Sequence, residues 1–212
     1  MNAQSPTPTD NPLKPEDRSR ADMYALIGRL FYAAPDSDLL AQISQPGDAS
    51  MGADPPGELE RAWRTLQEVC AATAQSAIKP EYDALFVSAG KAQVTPYTSH
   101  YISHSAPGKH LVELRVLLER WGLARGTGVF EVEDHVSGLC DVMRFLIEEQ
   151  MPFSDQRLFF ERYVHPAMVP LNAAVMAAAP EAFYKKVVAL AQIFLEVEKA
   201  AFDMDDATSA LL

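Results

Sequence analysis

Apolar side chains recur at helical spacing along most of this chain and predict a series of amphipathic helices. The first predicted helix starts near Pro15 and ends before Pro35, because the apolar positions between these prolines share one helix face: Met23, Leu26, Ile27, Leu30 and Phe31. Asp36 or Ser37 is placed to cap a short second helix. Residues 46–57, which are rich in proline and glycine, predict a loop after it.

Later segments with the same periodicity predict further helices over residues 59–76, from Pro80 onward, and over residues 111–121, 133–150, 155–179 and 180–203. Pro166 and Pro170 kink or divide the helix predicted over residues 155–179, because proline removes a helical N–H and its ring clashes with the preceding turn. Residues 90–109 contain β-forming side chains, but two prolines interrupt them. No partner strand is nearby, so an ordered loop is expected there.

These elements predict an all-α protein, a single-domain helical bundle over residues 15–212, since helices without a sheet pack only on one another. Residues 1–14 are polar and hold three prolines, so we expect them to form a disordered tail. They contain no apolar run long enough for a signal peptide or a membrane span. We therefore expect a cytoplasmic protein that does not insert stably into a membrane.

The charge balance narrows the class of partner. The chain has 18 lysines and arginines against 29 aspartates and glutamates, a formal net charge of −11 at pH 7. Its average surface repels a polyphosphate backbone, so nucleic acid is not an expected partner, whereas a cationic partner is attracted. Cys70 and Cys140 lie in helical apolar patterns without a CxxC motif, which is typical of core thiols in a reducing compartment.

The densest cluster of titratable residues opens the helix predicted over residues 133–150. Asp134 and His135 follow Glu131 and Glu133 there. Asp134 is placed to accept a backbone N–H as a helix cap, and His135 to donate to a carboxylate or carbonyl across a groove. A second interpretation is a capping and packing pair at a buried helix end, because acidic side chains favour first turns in any case.

Metal-binding and catalytic signatures are scarce. His100 and His104 are four residues apart and His110 follows, but Pro96 and Pro107 argue against a rigid helix there, and no carboxylate completes a ligand set. Solvated loop histidines are the expectation. The sequence has no GxSxG, Walker, GxGxxG or HExxH motif. We therefore predict a binding protein rather than an enzyme, with no metal and no cofactor.

The segment from Tyr82 to Tyr101 is rich in aromatic residues and proline. Phe86, Pro96 and Tyr97 give it rigid apolar area with a polar handle, which suits the lining of a peptide-binding groove. The alternative is that these aromatic side chains only cover the core beneath a long loop, as most aromatic residues do.

Three short blocks carry a resemblance to a known family. In chain order they are Glu81-Tyr82-Asp83-Ala84-Leu85-Phe86, Pro96-Tyr97-Thr98-Ser99 and Glu131-Val132-Glu133-Asp134-His135. This order resembles the signature blocks of the TorD-like redox-enzyme maturation proteins, which include the DmsD and NarJ chaperones. The similarity extends over about residues 18–203, because the first and last helices also resemble those of the family.

The resemblance implies a cytoplasmic chaperone that holds the catalytic subunit precursor of a molybdopterin-dependent oxidoreductase until its cofactor is loaded. It also implies that the chaperone binds the precursor's twin-arginine signal peptide before export. The peptide-binding residues carried over are Tyr82, Phe86, Pro96, Tyr97, Ser99, Glu131, Asp134 and His135. Members of the family exist as monomers or as homodimers that exchange helices. The family usually has proline where this chain has Val132, so the helix entry here is less rigid.

Two other classes remain open from the residues alone. The Asp134-His135 pair and the five histidines motivate a metal-dependent, HD-type helical phosphohydrolase. Those enzymes need the opposite order, His-Asp, and further ligands on other helices. A purely structural oligomerisation domain would need a heptad seam, which the sequence lacks. Metal analysis of the purified protein would separate the hydrolase from the chaperone.

Overall fold

The computed structural model describes residues 12–45, 56–87, 92–102, 107–123, 133–178 and 183–209. Its α-helices are α1 (Pro15–Tyr32), α2 (Ser37–Ser44), α3 (Glu58–Ala72), α4 (Gln75–Tyr82), α5 (Ser99–Ile102), α6 (Pro107–Arg120), α7 (Val136–Glu148), α8 (Phe153–Phe159), α9 (His165–Ala178) and α10 (Phe183–Ser209). π-Helical turns at Asp83–Val87 and Phe160–Val164 extend α4 and join α8 to α9. The described ranges contain no β-strand, and the predicted all-α fold is confirmed.

The most extensive contact between helices joins α1 to α7. Gly28 lies in this contact, where an added Cβ atom would lie 3.0 Å from the Cβ atom of Cys140 and 3.4 Å from the carbonyl oxygen of Ser137. The two backbones approach this closely because residue 28 has no side chain. α10 packs on α3 and α9, and α3 packs on α2. The helices thus enclose a common apolar core.

Of the prolines predicted to begin or divide helices, Pro166 follows a π-helical turn, whereas Pro170 lies inside α9. The span predicted over residues 155–179 is divided into α8 and α9 by the π-helical turn just before Pro166. Pro80 is a correction, because it lies inside α4 rather than at its start. Its missing N–H removes the i+4 partner of the Ser76 carbonyl, a loss that this two-turn helix tolerates.

The prediction of a loop over residues 90–109 is wrong in part. Residues 99–102 form α5, and α6 already begins at Pro107. Proline suits the first helical position because its fixed φ is helical and the N–H that it lacks would have no helical partner there. Residues 92–98 contain no helix, in agreement with the prediction.

Helix starts agree with the sequence where the cap is local. Asp36 caps α2 as predicted, since its carboxylate accepts the Leu39 N–H at 2.8 Å. Residues 1–11 of the predicted tail, residues 46–55 of the predicted loop and Pro180 lie outside the described residues. Leu13, just before α1, packs partly against the core. Within the described ranges, no helix combines the length and the apolar character that crossing a bilayer requires.

A buried charged network links α1, α8 and α10. The Arg20 guanidinium donates to both carboxylate oxygens of Glu198, from Nε at 2.7 Å and from Nη2 at 3.0 Å. The Tyr24 hydroxyl donates to Glu198 at 3.0 Å, and Gln156 Oε1 accepts from Arg20 at 3.1 Å. Burial alone would lower the pKa of Arg20, but hydrogen bonds to Glu198 and Asp17 raise it, so the guanidinium stays charged.

Two helix ends share one backbone conformation and differ in residue type. α6 is followed by Gly122 at φ +73°, and α7 by Gln150 at φ +50°. At both ends, the residue after the left-handed one donates its N–H to a carbonyl five residues earlier. Leu123 donates to Leu118 and Met151 to Leu146, each at 2.9 Å. This is the helix ending in which glycine is preferred, because a left-handed backbone costs other residues about 1–2 kcal/mol.

Gln150→Gly is therefore expected to stabilise the protein. The gain in free energy of unfolding should be about 0.5–1 kcal/mol, because the greater freedom of glycine in the unfolded chain offsets part of the relieved strain. Gly122→Ala, the matched change in the opposite direction, should lower it by about 1 kcal/mol. Urea denaturation measures both values, and a Gln150→Gly protein less stable than the parent would contradict this account.

Candidate functional site

Two of the sequence blocks meet in space. The Thr98 N–H donates to the Asp134 carbonyl at 2.8 Å, and the Val136 N–H donates to the Pro96 carbonyl at 3.0 Å. These bonds form an antiparallel bridge between Tyr97 and His135, whose rings pack edge to face with centroids 5.3 Å apart. We call residues 95–99 and 133–137 the Tyr97–His135 corner.

Asp134 and His135 each cap a helix, but not in the predicted arrangement. His135 is the cap of α7, because its Nδ1 accepts the Ser137 N–H at 3.1 Å. Nδ1 therefore acts as the acceptor in this cap. Asp134 instead accepts the Ser99 N–H at 3.3 Å, at the first residue of α5. Both side chains are buried, so the prediction of a capping and packing pair agrees with the structure.

The first block also has a capping role that the sequence did not predict. The Glu81 carboxylate accepts the N–H groups of Phe183 at 3.0 Å and of Tyr184 at 2.7 Å. These are the first two residues of α10, where a negative charge also complements the helix dipole. Glu81 therefore fixes the start of the last helix from a distance of about a hundred residues along the chain.

Tyr82 and Phe86 lie in a buried aromatic cluster with Phe31 and Tyr184. The Phe86 ring is 5.7 Å from that of Phe31, 5.2 Å from that of Tyr82 and 5.3 Å from that of Tyr184. The Tyr82 hydroxyl donates to the Tyr32 carbonyl at 2.8 Å, and the Tyr184 hydroxyl to the Leu30 carbonyl at 2.9 Å. The two tyrosines thereby satisfy carbonyl groups at the end of α1. In this structure the cluster is part of the core, and its contact with a peptide stays a prediction.

The aromatic cluster and the Tyr97–His135 corner are adjacent. The Val94 N–H donates to the Leu85 carbonyl at 2.9 Å, which ties the chain entering the corner to the π-helical turn that holds Phe86. Two large apolar side chains next to the cluster are exposed: Tyr32 at 54% and Val87 at 58%. Sequence reasoning missed both. The signal for Tyr32 is a large aromatic side chain outside the apolar stripe of α1.

The predicted site residues differ in accessibility. Tyr97 and Ser99 are half-buried, whereas Pro96 is buried. Glu133 pairs with Arg115 of α6 at 3.1 Å. Glu131 lies outside the described residues. Among the predicted residues that the structure describes, Tyr97 and Ser99 therefore offer the accessible surface, and Asp134 and His135 hold that surface in place.

The histidines outside the corner differ in their burial. His110 is a correction to the expected solvated loop histidines, because it lies in α6, is buried and packs on Tyr163 with ring centroids 5.1 Å apart. Burial lowers its pKa. His100 is exposed on α5, and His104 lies outside the described residues. Among the described residues, no group of three or more histidine, cysteine and acidic side chains could hold a metal ion.

Both cysteines are free and buried, as the sequence predicts for core thiols. Burial raises the pKa of the Cys70 thiol to about 11 and that of Cys140 further still. A thiol with a raised pKa is a poor nucleophile near neutral pH. The cysteines therefore belong to the core and not to the candidate site.

The Asp134 carboxylate is expected to stabilise the folded protein through its hydrogen bond in the corner. Replacing Asp134 with alanine removes the acceptor for the Ser99 N–H and should lower the free energy of unfolding by about 1–2 kcal/mol. Asp134→Asn keeps an acceptor oxygen and should lose less. The backbone bond from Thr98 remains in both variants, so the pair isolates the side chain. Thermal melts measure the difference, and equal losses for alanine and asparagine would contradict the capping role.

These features define an all-helical protein whose candidate site is the Tyr97–His135 corner, fixed by backbone hydrogen bonds. A sequence profile for the family described as nitrate reductase delta subunit matches residues 53–170, more than half of the chain, and the match includes all three sequence blocks. The chain belongs to this family of NarJ- and TorD-type chaperones. The resemblance to TorD-like proteins is thereby confirmed.

The fold is similar to that of a solved structure. A crystal structure from Archaeoglobus fulgidus, described as a redox enzyme maturation protein, superposes with a TM-score of 0.51 at 20% sequence identity, over 85% of this chain and 93% of that chain. No curated protein sequence matches this chain. The family consists of maturation chaperones rather than catalytic enzymes, so the general role of the chain is redox enzyme maturation.

Proposed function

We propose that this protein is a cytoplasmic chaperone, without catalytic activity or a cofactor of its own, for the assembly of a molybdopterin-dependent oxidoreductase. It binds the precursor of the catalytic subunit and its twin-arginine signal peptide before cofactor loading and export. The observation that carries the proposal is the Tyr97–His135 corner, where two of the family's sequence blocks pair.

The chemistry of this surface suits such a peptide. A twin-arginine signal peptide presents guanidinium groups followed by an apolar stretch. Tyr32, Val87 and Tyr97 supply apolar area, and aromatic residues of this kind are enriched where binding energy concentrates. The net charge of −11 attracts the arginines and raises the encounter rate. Carboxylates form strong bidentate hydrogen bonds with guanidinium groups, a role that we propose for Glu131.

The buried residues of the site take supporting roles in this proposal. Pro96, Asp134 and His135 fix the backbone that presents Tyr97 and Ser99. Tyr82 holds the backbone of Tyr32 through its hydroxyl, and Phe86 anchors in the core the turn that ends at Val87. We propose a monomer or a homodimer that exchanges helices as the working form. The HD-type hydrolase receives no support from Asp134 and His135, because both side chains accept backbone N–H groups.

The test is calorimetric titration with signal peptides of molybdoenzymes encoded beside this protein. Tyr32→Ala and Tyr97→Ala are each expected to weaken binding by about 5- to 100-fold, the usual effect of truncating a central aromatic contact. Val197→Ala, which truncates an exposed apolar side chain of α10, is the matched control and should leave the affinity unchanged. Equal weakening by all three variants would place the peptide elsewhere, and no binding of any peptide would exclude this function.

A further inference from the structure

An ion pair joins the Tyr97–His135 corner to α6. The Arg115 guanidinium of α6 donates from Nη2 to Oε2 of Glu133 at 3.1 Å. Glu133 is the middle residue of the third sequence block and lies two residues before His135. The free protein therefore already holds a guanidinium group on a carboxylate of the corner, and this group comes from its own chain.

The ion pair is not what builds the corner. Two backbone hydrogen bonds hold its two segments together, and the side chains of Asp134 and His135 cap the helices that leave it. None of these contacts uses the side chain of Arg115 or Glu133. The corner should therefore keep its shape when the ion pair opens.

The contact is also one that opens easily. The Arg115 side chain is 47% exposed and donates a single hydrogen bond to Glu133, whereas the buried Arg20 donates two to Glu198. Exposed ion pairs contribute little stability, because water replaces either partner. Glu133 is the less exposed partner, at 16%, so Arg115 is the side chain that can swing away into solvent.

The electrostatics of the corner favour a guanidinium group at this position. The hydrogen bond to Glu133 and, more weakly, the charge of Asp134 raise the pKa of Arg115. An arginine of a ligand carries the same group and meets the same two carboxylates. A ligand that also contacts the half-buried Tyr97 gains apolar area that Arg115 does not use.

We propose that Arg115 is an internal competitor for the signal peptide: it occupies Glu133 in the free protein, and an arginine of the peptide displaces it. This inference rests on the proposed function and deepens it, because it names a residue outside the three sequence blocks that sets the affinity. Exchange of one guanidinium for another leaves the charge at the carboxylate unchanged. A peptide therefore binds by the contacts that it adds elsewhere in the corner.

Calorimetric titration of three variants with a signal peptide tests the exchange. Arg115→Gln should strengthen binding by about two- to fivefold, because the carboxylate is no longer partly occupied. Glu133→Gln should weaken binding by about five- to tenfold, and adding Arg115→Gln to it should change nothing further. If Arg115 only positions the corner, Arg115→Gln weakens binding instead. Weaker or unchanged binding by Arg115→Gln would overturn the proposal.

A second ion pair of α6 provides the matched control. Arg162 pairs with Glu113 at 2.7 Å and is 52% exposed, so Arg162→Gln removes the same charge from a similar contact outside the corner. It should change the affinity by less than about twofold, because salt screens distant surface charges. The gain from Arg115→Gln should also vanish for a peptide whose two arginines are replaced by glutamine. Equal gains in both variants, or a gain that persists with the glutamine peptide, would overturn the proposal.

A smaller probe separates this inference from the proposed function. The Nε–H signal of Arg115 in ¹⁵N NMR spectra, assigned by its loss in Arg115→Gln, reports directly on the ion pair. Diarginine amide, which has no apolar stretch, should shift this signal in a saturable titration of the parent and not of Glu133→Gln. No shift would overturn the exchange even if the signal peptide binds. No binding of any signal peptide would contradict the proposed function, and the diarginine titration would still decide whether Arg115 yields Glu133 to another guanidinium.

Discussion

Replacing Glu198 with alanine is expected to lower the free energy of unfolding by about 3–5 kcal/mol, because the change leaves the buried Arg20 guanidinium without its counter-charge. Arg20 is only 16% exposed and Glu198 only 2%, so water replaces the lost carboxylate poorly. The Tyr24 hydroxyl loses its acceptor in the same variant. Urea denaturation monitored by circular dichroism measures the loss.

A combined variant separates the cost of an unpaired charge from the value of the network. Arg20→Met, Tyr24→Phe and Glu198→Met together remove the charges and the hydroxyl while keeping apolar volume. Buried ion pairs replaced in this way are often no less stable than the original. We expect the triple variant to recover most of the loss. A Glu198→Ala protein within about 1 kcal/mol of the parent would show that the network carries little stability.

Phe86→Ala is expected to cost about 3–5 kcal/mol, the range for large aromatic side chains removed from a packed core. Three rings contact Phe86, those of Phe31, Tyr82 and Tyr184, and they cannot close the cavity without moving the ends of α1 and α10. Thermal melts measure the loss. Lost peptide binding in this variant would therefore report unfolding and not a lost contact.

Tyr97→Ala is the matched comparison, because Tyr97 is half-buried and packs on one ring, that of His135. Its stability should fall by about 1 kcal/mol or less. Phe86→Leu keeps most of the side-chain volume, so its loss of stability should lie between those of Phe86→Ala and Tyr97→Ala. A Phe86→Ala protein as stable as Tyr97→Ala would contradict the assignment of Phe86 to the core.

The sequence predicted what local periodicity controls. The apolar stripe of α1, the Asp36 cap and the irregular turn before Pro166 all depend on residues within two turns of one another, and all are present. The sequence missed what distant contacts control. Asp134 caps α5 across 35 residues and Glu81 caps α10 across 102, so neither partner could be identified from spacing along the chain.

The site was predicted less completely than the fold for the same reason. Two blocks that the sequence singled out do pair at Tyr97 and His135, but their order along the chain carried no information on the geometry. Tyr82 and Phe86 have the composition of a groove lining and also of a core, and only packing decides between them. Trp63 and Leu59 have helical core spacing, so the apolar groove between α1 and α3 that they line was not anticipated.

The central claim is that the protein holds an oxidoreductase precursor before its cofactor is loaded. The direct measurement is binding of the purified chaperone to the same catalytic subunit in two forms, the cofactor-free precursor with its signal peptide and the cofactor-loaded mature enzyme. Surface-based binding kinetics with each form immobilised would give both affinities. We predict tight binding of the precursor, weakened by Tyr97→Ala, and at least about tenfold weaker binding of the mature enzyme. Equal affinity for the two forms, or no binding of the precursor, would contradict the proposed function.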